Sequence, residues 1–141
     1  MATIVKKLAA RYPAVPVIYF ANGGSAFLEK QVDVGAAALA VDWRVSMQSA
    51  RSRVGSEPVL MGNIDPIVLY GAEKEIRAAV RCCIDQGSVP STRYMSDGKS
   101  GTIASDSGRM RHVLNLGHGV EKDVPEEAVE VFVDEARQYI Y

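Results

Sequence analysis

Two histidines occur in the 141 residues, and one of them ends an apolar run between two glycines: Val113-Leu114-Asn115-Leu116-Gly117-His118-Gly119-Val120. Glycines on both sides leave the backbone room to present the ring, and an imidazole there can donate a hydrogen bond to an anion or carry positive charge near neutral pH. His118 is therefore the first candidate for ligand contact; a loop histidine with no ligand is the alternative. Asp42, Trp43 and Arg44 follow another apolar run, GAAALAV. Asp42 could face the same cleft, although a carboxylate at a strand end more often holds backbone amides. Trp43 is expected in the core rather than as a stacking platform, and Arg44 as a solvated arginine. Asn63 and Asp65 are expected as turn and cap residues. His112 opens its apolar run at the end opposite His118. Cys82 and Cys83 are adjacent in a helical segment, so they point in different directions and suit neither a disulfide nor a tetrahedral zinc site. No metal site is expected, and a reducing compartment is the default.

Two short motifs fail on their context. Gly98-Lys99-Ser100 lacks the earlier glycine of a phosphate loop, because Arg93 stands there, and that motif also needs a strand leading directly into the loop, which this polar segment is not expected to supply. Gly117-His118-Gly119 lacks the third glycine of a dinucleotide fingerprint, because Lys122 occupies that place.

The elements that must position these residues follow from periodicity. With 48% hydrophobic residues, 23% charged residues and a net charge of -1, the composition is that of one globular domain. It supplies no long-range field for nucleic acid or an anionic membrane, and no stretch reaches the roughly 20 apolar residues of a membrane helix. The basic start, MATIVKKLAARYPAV, fits a plastid-type transit peptide, but Ile4, Leu8 and Tyr12 also mark one face of an amphipathic helix, the reading preferred here. That leaves the cytoplasm as default compartment.

VPVIYF, GAAALAVDW, EPVLMGN and HVLNLGHG are short apolar runs that suit strands buried on both faces. Between them stand helical segments: SAFLEKQV with Ser25 as N-cap, SMQSARSRV with Ser46 as cap, and a segment opening at Asp65-Pro66, with Leu69, Ile76, Val80 and Cys83 on one face and a possible break at Gly71. A last helix opens at Pro125, with Val129, Phe132, Val133, Ala136 and Ile140 as its buried stripe. Four strand-helix units in alternation build a parallel sheet, and each strand ends in small or polar residues at the edge where such folds bind ligands. A small doubly wound domain and half of an eight-unit barrel both fit this pattern. The half barrel would leave open strand edges that favour association. Residues 88–110, rich in Ser, Gly and Asp, have no sustained period and are expected to be a disordered insertion before the last strand.

GNIDP (Gly62 to Pro66) followed by LYG, and NLGHG (Asn115 to Gly119) followed by a Pro-Glu-Glu helix, resemble the C-terminal part of the uroporphyrinogen decarboxylase family. VPVIYFANGG and VDW agree in order and spacing, so the resemblance covers residues 1–141 apart from the insertion. It implies an α/β fold, the C-terminal half of a TIM-type (β/α)8 barrel that works as a homodimer. It also implies removal of the four acetate carboxyls of uroporphyrinogen to give coproporphyrinogen, in porphyrin, heme and chlorophyll biosynthesis, without metal or prosthetic group. In the family the histidine matching His118 contacts substrate, and the position of Arg44 usually holds an uncharged residue. The family's substrate-binding arginines, its cleft aspartate, tyrosine and serine come from segments with no counterpart in these residues, so the chain alone is expected to be inactive. Two alternatives stay open: a truncated barrel half that acts only as an interaction partner, and a related corrinoid or folate methyltransferase barrel with zinc on histidine and cysteines.

Overall fold

The computed structural model describes residues 1–88, 92–94, 100–102 and 111–140. In chain order its elements are α1 (Ala2–Arg11), β1 (Ile18–Phe20), α2 (Leu28–Val32), β2 (Ala38–Ala40), α3 (Met47–Val54), β3 (Leu60–Ile64), α4 (Glu73–Gly87), β4 (Thr92–Tyr94), β5 (Ser100–Thr102), β6 (His112–Leu116) and α5 (Glu126–Ile140). Short 3-10 turns, Gly24–Phe27 and Pro66–Tyr70, precede α2 and α4.

The four apolar runs form one parallel sheet in the order β1-β2-β3-β6. Sequential order with a helix after each strand is the arrangement of consecutive units in a (β/α) barrel. Register sets the two faces. Tyr19, Leu39, Leu60 and His112 form one cross-strand row, and Phe20, Ala40, Met61 and Val113 the next. Because side chains alternate along a strand, the first row faces the helices and the second faces away. The helix side carries the core, in which Leu28, Leu39, Val41, Met47, Ala50, Leu60 and Val80 pack together. On the other face Phe20 and Val113 are exposed, as is Ile18 on β1. The strands are thus covered on one face, not on both as the apolar runs suggest, since runs of this kind do not state which neighbours are present.

Local signals hold where the chain uses its own side chains. Ser46 caps α3, its hydroxyl accepting from Ser49 N at 3.1 Å, and Asp65 caps the turn at Pro66 by accepting from Ile67 N at 3.0 Å. The chain breaks at Gly71 as expected, and α4 then opens with Glu75 accepting from Ala72 N at 2.8 Å. Ser25 is not a cap: Gly23, at φ 69°, precedes a 3-10 turn there, and the Ser25 carbonyl accepts from Arg53. Helix α1 forms, but Ile4, Leu8 and Tyr12 are exposed and Val5 is its buried residue.

The expected stripe of α5 is also displaced. Val129 and Val133 are each 37% exposed, whereas Ala128 and Glu135 are buried and Phe132 and Ala136 pack on the core. Glu135 turns inward because α4 meets it with two guanidinium groups, Arg77 at 2.7 Å and Arg81 closer still. These bonds hold the Glu135 carboxyl below its ordinary range, Arg81 first and Arg77 second. The described parts of the expected insertion at 88–110 include β4 and β5, which pair antiparallel; the remainder lies outside the described residues.

At the N-terminal end of the sheet one side chain joins four segments. Arg51, 9% exposed on α3, donates from Nη1 to Gly55 O (3.1 Å) and Pro58 O (2.7 Å), and from Nη2 to Gly87 O (3.1 Å) and Arg111 O (2.6 Å). These carbonyls belong to the end of α3, the approach to β3, the end of α4 and the approach to β6. Replacing this group strips its donor from the buried bond to the Gly87 carbonyl and from three part-buried ones, the first a loss on the kcal/mol scale. Arg51→Met is expected to lower unfolding free energy by about 3 kcal/mol in urea titration, and Arg51→Lys to recover only part, because an ammonium lacks the planar fork.

Candidate functional site

The loops that leave the C-terminal strand ends touch one another through specific contacts. After β1 comes Asn22, after β2 the Asp42-Trp43-Arg44 segment, and after β6 Gly117-His118. Asn63, at the end of β3, donates from Nδ2 to Asp42 O at 2.9 Å and also to Val45 O. Gly117 N donates to Ile64 O at 2.8 Å, carrying the parallel pairing one residue beyond β6. A Cβ at Gly117 would lie 2.4 Å from Trp43 N and 2.8 Å from Trp43 Cα. Glycine is therefore required here by a close backbone approach, while a Cβ at Gly119 would meet nothing within 4 Å.

His118 is exposed at this edge, one residue beyond the contact with Trp43. Asp42 is placed differently. It is 1% exposed, and its Oδ1 accepts from Arg44 N at 2.9 Å, which makes it a buried organiser of the loop. Its Oδ2 has no hydrogen-bond partner among the described residues; Arg44 Nη1 stands 3.7 Å away. His118 and Asp42 thus share an edge, but His118 alone of the two presents its side chain there. Two neighbours depart from expectation. Trp43 is 40% exposed rather than part of the core, and the Arg44 guanidinium lies 4.7 Å from the centre of its ring. Arg44 is not simply solvated, since Nη1 also donates to Asn22 Oδ1 at 3.0 Å. The signal in the sequence was the adjacency of Trp43 and Arg44 at a strand end, which becomes informative only when β1 supplies Asn22.

His112 lies at the other end of the sheet, opposite Leu60 in register and beneath α4. Its Nε2 donates to Gly62 O at 2.8 Å, and Cys83 Sγ donates to the same carbonyl at 3.1 Å. The ring occupies space that only a glycine at position 87 leaves open, because a Cβ there would lie 2.5 Å from the imidazole. Burial pushes the Cys83 thiol up to about 11 and holds His112 below the ordinary histidine value, the nearby Arg51 charge adding to the second effect. Such a thiol is a poor nucleophile or metal ligand. Cys82 is exposed on α4 and does not join it. Among the described residues no three His, Cys, Asp or Glu side chains gather as metal ligands would, and no helix is long and apolar enough to cross a membrane.

Comparison with known proteins gives consistent matches. The family model "Uroporphyrinogen decarboxylase (URO-D)" matches residues 1–139. A uroporphyrinogen decarboxylase of Ralstonia pickettii (strain 12J) is 41% identical over 125 residues, which cover 89% of this chain and 30% of that protein. The one of Ralstonia nicotianae is 40% identical over 141 residues, covering 99% of this chain and 34% of that protein. The chain spans about a third of the length of the curated relatives it matches. Among solved structures, a methyltransferase from Methanosarcina mazei superposes with a TM-score of 0.71 over 100% of this chain and 36% of its own, at 17% identity. That likeness supports the barrel-type fold.

Two outcomes follow from this geometry. Gly117→Ala is expected to cost about 2 kcal/mol, the scale of overpacking against backbone that cannot yield, and to shift the emission of Trp43, while Gly119→Ala leaves both melting and emission unchanged. His112 adds a pH dependence. The folded chain holds it neutral at pH values where the unfolded chain takes up a proton, so its contribution is intact above roughly pH 6.5 and declines as pH falls below that. Melting temperatures recorded from pH 7.5 to 5 should fall more steeply for the natural chain than for His112→Phe; parallel profiles would contradict this assignment.

Proposed function

The chain belongs to the uroporphyrinogen decarboxylase family, and from that membership we propose that it forms part of the substrate cleft of an enzyme that converts uroporphyrinogen III to coproporphyrinogen III. The observation that carries the reading is His118, exposed beside Trp43 at the C-terminal edge of a parallel sheet, where barrel enzymes bind their substrates. In porphyrin, heme and chlorophyll synthesis this reaction removes each acetate carboxyl as carbon dioxide and leaves a methyl group. The reaction as proposed needs no cofactor. Protonation of a pyrrole carbon makes the ring cationic, the electron pair of the breaking carbon-carboxylate bond flows into that ring as carbon dioxide leaves, a second proton completes the methyl group, and the ring carbon gives up the first proton to restore the pyrrole. Protein groups have three tasks: orienting the macrocycle, stabilising charge and moving protons.

His118 takes the first task in this reading. Its imidazole donates a hydrogen bond to a substrate carboxylate, since one histidine at one strand end cannot reach all four acetates unless the substrate turns or leaves between steps. Asp42 acts by shaping the loop that bears Trp43 and Arg44. Proton transfer and further anion contacts fall to residues outside these 141, supplied in a homodimeric enzyme. The compartment is the cytoplasm, or the plastid if the basic start serves as a transit peptide.

A hybrid in which this chain replaces the matching third of the Ralstonia nicotianae protein tests the reading. It should consume uroporphyrinogen and yield coproporphyrinogen, and a folded hybrid without turnover would reject it. In that hybrid His118→Ala is expected to weaken kcat/KM by about 1 to 3 kcal/mol with the fold intact, the scale of a lost hydrogen bond to a charged group. A fall of roughly a hundredfold or more confined to kcat would instead make His118 a proton donor. Unchanged kinetics would remove both roles.

A further inference from the structure

Arg44 is held more firmly than a solvated arginine would be. Its backbone N is fixed by Asp42 Oδ1 at 2.9 Å, its Nη1 by Asn22 Oδ1 at 3.0 Å, and its guanidinium plane by the Trp43 ring at 4.7 Å. All three anchors come from the loops of this one strand edge. Nε and Nη2 make no hydrogen bond to any described residue, and the side chain stays 49% exposed. An arginine whose stem and one nitrogen are fixed, with two donors of its fork unused, is preorganised for a planar two-oxygen acceptor.

Its position narrows the acceptor further. Gly117 packs on the backbone of Trp43, so Arg44 and His118 each follow a partner in that contact by one residue, a Cα step of about 3.8 Å. Two side chains suited to carboxylates therefore rise from one rim. Asp42 offsets part of the charge, but its Oδ2 is buried, lies 3.7 Å from Nη1 and makes no hydrogen bond to any described residue, so Nε and Nη2 stay available. A guanidinium bridging a buried carboxylate on one side and a ligand carboxylate on the other satisfies both.

We propose that Arg44 binds a carboxylate arm of the tetrapyrrole, making it a substrate-affinity residue of this chain in addition to His118. The proposal rests on the uroporphyrinogen reading above. The arm is either an acetate, which the reaction removes, or a propionate, which it keeps.

Trp43 is the single tryptophan of the chain and touches the Arg44 guanidinium, so its emission reports on this site. The test titrates the full chain with uroporphyrin, the stable oxidised form of the substrate macrocycle, which absorbs where tryptophan emits. Saturable quenching is expected, and Arg44→Gln should weaken the apparent affinity about tenfold, the loss of one charge-assisted contact. Arg44→Lys keeps the charge without the fork and should lose only part of that factor; it also decides the matter should the glutamine variant melt below the assay temperature. Titration with coproporphyrin, which has propionates alone, separates the two arms. An equal loss identifies a propionate, and a loss seen only with uroporphyrin identifies an acetate. Both variants binding within twofold of the natural chain would overturn the proposal while leaving the tetrapyrrole reading in place. No saturable quenching of the natural chain would overturn both.

Discussion

The fold depends on tying together the segments that enter the sheet at its N-terminal end, and one buried guanidinium does so through four backbone carbonyls. Arg51 reaches Gly55, Pro58, Gly87 and Arg111, four carbonyls from segments far apart in sequence. Its acceptors are all backbone oxygens, so the charge is dispersed over dipoles and not matched by a carboxylate. Burial accordingly pulls the Arg51 pKa below its ordinary value, with Arg111 adding to the effect, yet a guanidinium stays protonated throughout the working range. The arrangement fixes where β3 and β6 begin. It also brings together Gly87 and Arg111, which flank the long segment between α4 and β6.

Parallel pairing carries that fixed start to the opposite edge. From Leu60↔His112 to Ile64↔Leu116 the register runs without interruption, so placing the first pair places the last, and with it the loop of His118. At the far edge the contacts change character. Instead of one hub there is a chain of neighbours: Asn22 to Arg44, Asn63 to the carbonyls of Asp42 and Val45, and Gly117 to the backbone of Trp43. Loops tied to one another in this way leave their side chains less entropy to lose if a ligand binds there, as proposed for His118 and Arg44.

The helix layer shows the same reliance on pairing. Glu135 would be a surface residue by type, but α4 places Arg77 and Arg81 against it, and the carboxylate is drawn into the α4–α5 interface. With Glu135 turned inward, the face of α5 that presses on the core shifts toward Ala128, Phe132 and Ala136, and Val129 and Val133 move outward. A helical wheel ranks faces by hydrophobicity and cannot register a carboxylate whose charge is met by a neighbouring helix.

Sequence by itself determined the alternation of four strands and helices, the caps at Ser46 and Asp65, the break at Gly71 and the edge on which His118 stands. Each of these is written in local residue types: apolar runs, hydroxyl and carboxylate caps, glycine. Family membership was also legible, because GNIDP and NLGHG carry it in order and spacing. Tertiary structure alone decided which faces are covered, leaving Ile18, Phe20, Ile4 and Leu8 exposed. It also decided that Asp42 is buried, that Trp43 and Arg44 stack at the rim, and that Gly117 is required by the Trp43 backbone whereas Gly119 is not. The physical reason is range. Caps and periodicity act over one or two turns, whereas burial, charge pairing and close backbone approach depend on partners tens of residues away, as Gly117 lies from Trp43.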